Sequence, residues 1–275
     1  MKMTAWGALA LCVTGCGPML STMTPAAVTP RGSFRGAGGF GAEIATGPVL
    51  DAIDSVETLA TRVSNNQSLS SAEQTQLIER SAALVIAPPS FSSEFQLRYG
   101  VYDRIDVGLR WVGSNFRLDA RYQFLSSEQG APFDLSAGLG LGIGVTGLSL
   151  PSPIDDVIDL DDYLLFTADV PVLAGWSGRF GHFWFGPKVV FGRAGTAMSI
   201  RFSSTDLRVF DLSGTTFYYG AQIGGAVGYR WFWVAAELSI LGLSGSASMT
   251  LPGMSYAPSF GGVAIAPSVA LLLQI

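Results

Sequence analysis

Charge is scarce in this chain: only 13 per cent of its 275 residues are Asp, Glu, Lys or Arg, against 48 per cent hydrophobic. Ordinary soluble domains carry about 25 per cent charged residues, so much of this surface is expected to meet something other than water. Histidine occurs once, and the only cysteines are Cys12 and Cys16. That excludes a disulfide framework or a cysteine-pair metal site in the body of the chain. No G-x-S-x-G, H-E-x-x-H or P-loop pattern is present, and one histidine gives little basis for acid–base catalysis, so no enzyme activity and no cofactor are expected. The formal charge of −5 is mild and unclustered, and the absence of a Lys/Arg-rich tract argues against nucleic acid as a partner. Beyond the N-terminus there is no apolar run of about eighteen residues, which removes membrane-spanning helices.

What the chain does have is alternation. Across 94–125 apolar residues recur at every second position: Phe95, Leu97, Tyr99 and Val101, then Ile105, Val107, Leu109 and Trp111, then Phe116, Leu118, Ala120, Tyr122 and Phe124. The opposite face is polar, with Glu94, Arg98, Asp106, Arg110, Arg117, Asp119 and Arg121. Period two over this length predicts three antiparallel strands. Holding the faces in phase places Val101 opposite Ile105 around a Tyr102-Asp103-Arg104 turn, and Val112 opposite Asn115 around Gly113-Ser114.

The segment 134–145 decides the class. Its non-apolar face is Ser136, Gly138, Gly140, Gly142 and Gly144. Glycine is a weak strand residue toward solvent but suits a crowded interior. The apolar face is therefore expected to meet lipid and the polar, small-residue face to line the inside of a transmembrane barrel.

The stretch 98–110, RYGVYDRIDVGLR, resembles the strand-turn-strand of a large, mostly uncharacterised group of bacterial outer-membrane β-barrel proteins. The likeness covers about thirty residues closely and the rest only in pattern. It implies an even-stranded outer-membrane barrel, with no agreed activity attached. The chain departs from that group in closing on Ile275 rather than an aromatic residue.

At the N-terminus, Lys2 precedes an apolar stretch and Val13-Thr14-Gly15-Cys16. This resembles the lipobox of bacterial lipoproteins, so 1–15 is expected as a signal peptide and Cys16 as the lipidated residue. The Pro/Thr/Ala-rich stretch 16–32 has no period and reads as a tether between lipid and barrel.

The remaining chain completes an all-β, antiparallel transmembrane barrel over 33–275, of about ten strands with eight or twelve as alternatives. Strand one covers 33–44. Between 47 and 90 the period becomes helical: Val49, Ile53, Val56, Ala60 and Val63 share one face, and Ser70 with Glu73 forms a capping box for a second helix. A helical hairpin is thus inserted between strands one and two. Further strands are expected at 133–147, 163–176, 182–193, 215–229, 232–242 and 262–275. Intervening loops include one with Asp155, Asp156, Asp159, Asp161 and Asp162, read as a solvated acidic loop, and a long one at 195–214 that could hold a hairpin of its own. An even count puts both termini on the side of the short turns, where Tyr99, Tyr102, Trp176, Phe180, Trp184, Tyr229, Trp231 and Trp233 form an interfacial girdle.

Inward positions assemble a charge network of Arg35, Glu43, Glu94, Arg98, Asp106, Arg110, Arg117, Asp119, Arg121, Asp134, Asp169, Lys188, Arg230 and Glu237. Balanced charge in a narrow barrel predicts a closed interior, since stranded charges are costly there. The expected function is that of an outer-membrane lipoprotein acting as a structural or interaction module, in contact with outer-membrane lipid and with a protein partner possible at the hairpin or long loops. The alternative is a narrow passive channel or transporter for small solutes or apolar compounds. His182 is expected to be structural.

Overall fold

The computed structural model describes residues 13–14, 17–65, 67–145, 153–203, 206–251 and 254–275. In chain order they form β1 (Phe34–Thr46), α1 (Pro48–Ser64), α2 (Ser71–Ile86), β2 (Ser90–Tyr102), β3 (Ile105–Val112), β4 (Asn115–Leu125), β5 (Asp134–Val145), β6 (Ile158–Ser177), β7 (Gly181–Arg201), β8 (Leu207–Tyr229), β9 (Phe232–Leu251) and β10 (Ser259–Gln274). Each strand pairs antiparallel with the next, and β10 pairs with β1, so ten strands close into a barrel-like ring. Reciprocal backbone bonds from Phe34 N to Ile275 O (2.8 Å) and from Ile275 N to Phe34 O (2.9 Å) complete the seam. Met254–Tyr256 adds an eleventh antiparallel strand beside the end of β9, and Val13–Thr14 pairs in parallel with the start of β2.

The alternation sets the faces. Leu97, Leu109 and Leu118 are 51, 47 and 65 per cent exposed, whereas Arg98, Arg110 and Arg117 are 1, 1 and 4 per cent exposed. Along β2 to β4 greasy side chains point away from the axis of the ring and ionic ones toward it. On β8 the outward series Phe217, Tyr219, Ile223, Val227 and Tyr229 gives way at the other end of the strand to Asp211 and Ser213; on β7 Phe183 to Phe191 gives way to Arg193 and Ser199. The apolar outer band thus covers about ten residues of strand, the length a tilted strand needs to cross a hydrocarbon core.

The ring is level at one end and uneven at the other. Asp103-Arg104, 178–180 and Arg230-Trp231 are tight connections at the level end. At the opposite end, where the helical hairpin sits, β3 stops after 8 residues while β8 runs to 23. The expected long loop at 195–214 is therefore mostly strand: β7 continues to Arg201 and β8 begins at Leu207, with Ser199 opposite Val209. Likewise β9 runs to Leu251 rather than ending at 242, and β6 begins at Ile158 rather than 163. The first tight turn also differs from expectation. Tyr102, not Val101, faces Ile105, because a bulge between Gly100 and Tyr102 absorbs one residue. Val112 faces Asn115 around Gly113, whose φ of 55° suits a two-residue hairpin.

The hairpin is built as its sequence indicates. Pro48 opens α1, and Ser70 and Glu73 form a reciprocal capping box at α2. Its apolar stripes do more than pack on each other. Val56, Leu59, Leu77, Ile78, Leu84 and Val85 join Leu160, Met198, Ile200, Phe210, Leu212 and Met249 from the raised wall in one buried cluster. The aspartates of 155–162 are the exposed face of this rim, while Ile154, Val157, Ile158 and Leu160 point into the cluster.

Candidate functional site

The interior is occupied by the protein's own N-terminal segment. Residues 17–29, expected as a tether outside the ring, are almost all buried within it. The reason lies in backbone chemistry. A Pro/Thr/Ala-rich segment with no period cannot satisfy its own N–H and C=O groups, whereas the ring presents many inward donors and acceptors.

The carboxylates take the N–H groups. Glu43 accepts from Leu20 N (2.8 Å), Glu237 from Thr22 N (2.5 Å) and Met23 N (2.9 Å), and Asp106 from Thr29 N (2.8 Å). Gln123 accepts from Val28 N (3.0 Å). The cations take the carbonyls. Lys188 Nζ donates to Leu20 O (3.0 Å) and Ser21 O (3.1 Å), Arg110 donates to Ser21 O, and Arg121 to Pro25 O (2.7 Å). Arg35 donates to Ala27 O (3.1 Å), and Asn115 Nδ2 to Gly17 O (2.8 Å). Met23 has φ 48°. That left-handed conformation costs about 1–2 kcal/mol for a residue with a Cβ, and it falls where two consecutive N–H groups, those of Thr22 and Met23, converge on one carboxylate. Trp184 Nε1 donates to the same Glu237 (2.8 Å).

Beside the plug runs an ion-pair chain. Arg121 pairs with Asp106 (2.6 Å), Asp106 with Arg98 (2.7 Å), Arg98 with Asp119 (2.6 Å), Asp119 with Arg117 (2.5 Å), and Arg117 with Asp169 (2.6 Å). Arg110 sits directly opposite Arg117 across the sheet, but turns to Glu94 instead. The last link crosses the whole of β5, and glycine makes this possible. A Cβ on Gly140 would fall on both the Arg117 guanidinium and the Asp169 carboxylate, and one on Gly108 would stand 2.6 Å from Arg98 Nη1. The inward glycine stripe is the space these long side chains use.

Thirteen of the expected network residues thus lie inside. Arg35, Arg98, Arg110, Arg117, Arg121 and Lys188 are buried with Glu94, Asp106, Asp119, Asp134, Asp169 and Glu237, and Glu43 is half-buried at the rim. Asp134 belongs to the level-end mouth, where it accepts from Ser127 N (2.8 Å) and Gln123 Nε2 (3.1 Å). Arg230 is a correction: it lies exposed in the turn after β8 at φ 57°, its guanidinium over the Tyr229 ring. Holding the tight turn takes it out of the alternation that would have sent it inward. Of the girdle aromatics, Trp184 and Trp233 point inward and are buried, while Tyr102, Trp176, Phe180 and Trp231 are exposed. Cys16 lies outside the described residues.

His182 packs against Trp233 in a tilted ring contact, centroids 4.4 Å apart, in a half-buried position at the level end. Among the described residues no group of three or more His, Cys, Asp or Glu side chains is placed to hold a metal ion. What charge counting overlooked were the inward amides Gln96, Asn115, Gln123 and Gln222, which also bind the plug: Thr22 Oγ1 donates to Gln222 (2.6 Å), and Gln96 exchanges bonds with Thr24. The signal was present for Gln96, Asn115 and Gln123, which lie in phase with the ionic residues of their strands, and absent for Gln222, whose strand has no buried charge.

Compared with known proteins, the chain matches no family model, and no curated protein shows significant similarity to it.

Proposed function

We propose that the ring is an outer-membrane β-barrel, held in lipid by its apolar outer band and sealed inside, which serves the cell envelope as a structural or interaction module. The observation that carries this reading is the division of side chains: aromatic and aliphatic residues around the outside of the level half, ionic residues paired within it. Apolar strand faces of this height are stable only against lipid or another apolar surface. No helix among the described residues is long and apolar enough to cross a membrane, so the strands would do so. Lipidation of Cys16 belongs to the same reading.

The alternative is a narrow channel. Every inward cation and carboxylate of the ionic chain has a partner of opposite sign, and the plug occupies the axis. That arrangement favours a closed state over conduction. Planar-bilayer recording of the purified full chain tests it: no single-channel current above background is expected, and steady current from the intact protein would make the channel the better reading. Carbonate washing of membranes is expected to leave the chain in the pellet. Its release would remove the membrane assignment altogether.

A further inference from the structure

We propose that the ring carries its own N-terminal segment from one face of the membrane to the other, displaying the start of that segment on the hairpin face while Ile275 remains on the opposite face. The proposal rests on the membrane reading above and adds a direction to it.

The direction follows from contacts in sequence order. Gly17 lies at the hairpin end, where Asn115 donates to its carbonyl and an added Cβ would stand 2.7 Å from Ser90 Oγ. Ser21 then meets Glu94 (3.2 Å), Thr24 meets Gln96 (3.3 Å), and Arg31 bridges to Gly100. These partners follow one another down β2 from its first residue toward its last. The segment therefore runs parallel to β2 through the full ionic interior and leaves at the level end, where Gly32 N donates to Gly100 O (2.9 Å) and Phe34 begins the ring. Val13–Thr14, in parallel pairing with Ser90–Phe91, lies at the same hairpin-end rim as Gly17.

Two consequences separate this from a simple plug. A terminal segment folded back into the mouth it came from would leave both chain ends on one face, as the even strand count alone suggests. Threading instead puts them on opposite faces. A lipid attached just ahead of Gly17 would then enter the leaflet on the hairpin side, away from the short turns. The inner wall also acts as a receptor for an uncharged extended peptide: its cations meet carbonyls and its carboxylates meet N–H groups, with no charged side chain needed from the occupant until Arg31.

The test uses the full chain in bacterial cells, with one epitope directly ahead of Gly17 and, in a second strain, one after Ile275. Antibody is expected to reach the first epitope on intact cells and the second only after permeabilisation. Both epitopes on one face, or the reverse arrangement, overturns the proposal. Since an inserted epitope could itself block threading, the untagged variant Thr22→Cys/Gln222→Cys supplies a second readout. Bridging of the two thiols by a short bifunctional thiol-reactive crosslinker is expected in most molecules, because Thr22 Oγ1 reaches the end of the Gln222 side chain (2.6 Å), and no bridging at normal expression counts against the threaded segment. Carbonate release would sink the membrane reading while leaving the crosslinking result to judge threading on its own.

Discussion

The two halves of the ring interior are filled in opposite ways. In the level half the inner wall is ionic, and what fills it is an extended, uncharged segment whose backbone groups are shared out among Glu237, Asp106, Lys188, Arg110 and Arg121. In the raised half the inner wall is apolar, with Met198, Ile200, Phe210, Leu212 and Met249, and what fills it is a pair of helices. The difference follows from where each filler keeps its hydrogen bonds. A helix satisfies its backbone internally and offers neighbours only side chains, so it can lie against a wall that has no polar groups. An extended segment satisfies nothing internally and needs a wall of donors and acceptors. Exchanging the two fillers would leave the segment's backbone unpaired in one half and the wall's charges unpaired in the other.

The strongest way to break this comparison is to remove a hub of the ionic half. Arg98 holds Asp106 and Asp119 at once, and all three are buried. Arg98→Ala leaves two carboxylates short of a cation in a dry interior, which costs about 3–5 kcal/mol for a broken buried pair. Urea unfolding of the lipid-reconstituted protein, followed by tryptophan fluorescence, should show the loss. A change no larger than that of an exposed substitution such as Arg179→Ala would mean the ionic half is solvated and does not depend on its pairs.

A smaller and more local effect is expected in the apolar half. Leu77 on α2 is fully buried in the cluster shared by hairpin and raised wall. Leu77→Ala should cost about 2–5 kcal/mol of hairpin docking, the range for a large-to-small change in a core. Hydrogen exchange would locate it: faster exchange in α1 and α2 with β2 to β5 unchanged sharpens the comparison, whereas uniform loss across the ring would show that the two fillers are coupled.

The same contrast explains what could be read from the sequence. Where the apolar-out alternation held, in β2 to β5, faces and the Gly113 turn were legible from period two alone, because a one-residue slip exposes every charge. Within that region the register shifts at Val101 and at Phe124 escaped, since a single extra residue at a strand end leaves the pattern on either side intact. The raised wall at 195–214 was legible only as a long loop that could hold a hairpin, because its phase inverts. Met198, Ile200, Phe210 and Leu212 point inward while Ser199, Arg201, Asp211 and Ser213 point outward. Period two persists there, but apolar residues occupy the face that is ionic lower down. The plug left no local signal. Its partners are spread over β1 to β9, and nothing in a run of Pro, Thr and Ala states that seven strands will share its hydrogen bonds. The capping box of α2 lay at the other extreme, being written entirely within Ser70 to Glu73.

That box gives the smallest expected effect and the only one with a clear pH signature. Glu73 accepts from Ser70 N (2.8 Å), from Arg62 of the neighbouring helix and from Ser70 Oγ (2.9 Å). These contacts, the Ser70 N–H foremost, hold its carboxyl at about 2, down from an ordinary 4.5. Because the folded value lies below the unfolded one, the stabilisation is fully present above about pH 4.5 and is lost as pH falls from there toward 2. Hairpin melting by circular dichroism should therefore weaken across that window in the parent chain and become flatter in Glu73→Gln. Ser70→Ala, which removes the side chain that caps the helix, should cost about 1 kcal/mol at neutral pH. If Glu73→Gln keeps the parent's slope between pH 4.5 and 2, the acid sensitivity belongs to carboxylates of the ionic half, and the hairpin is held by its apolar contacts alone.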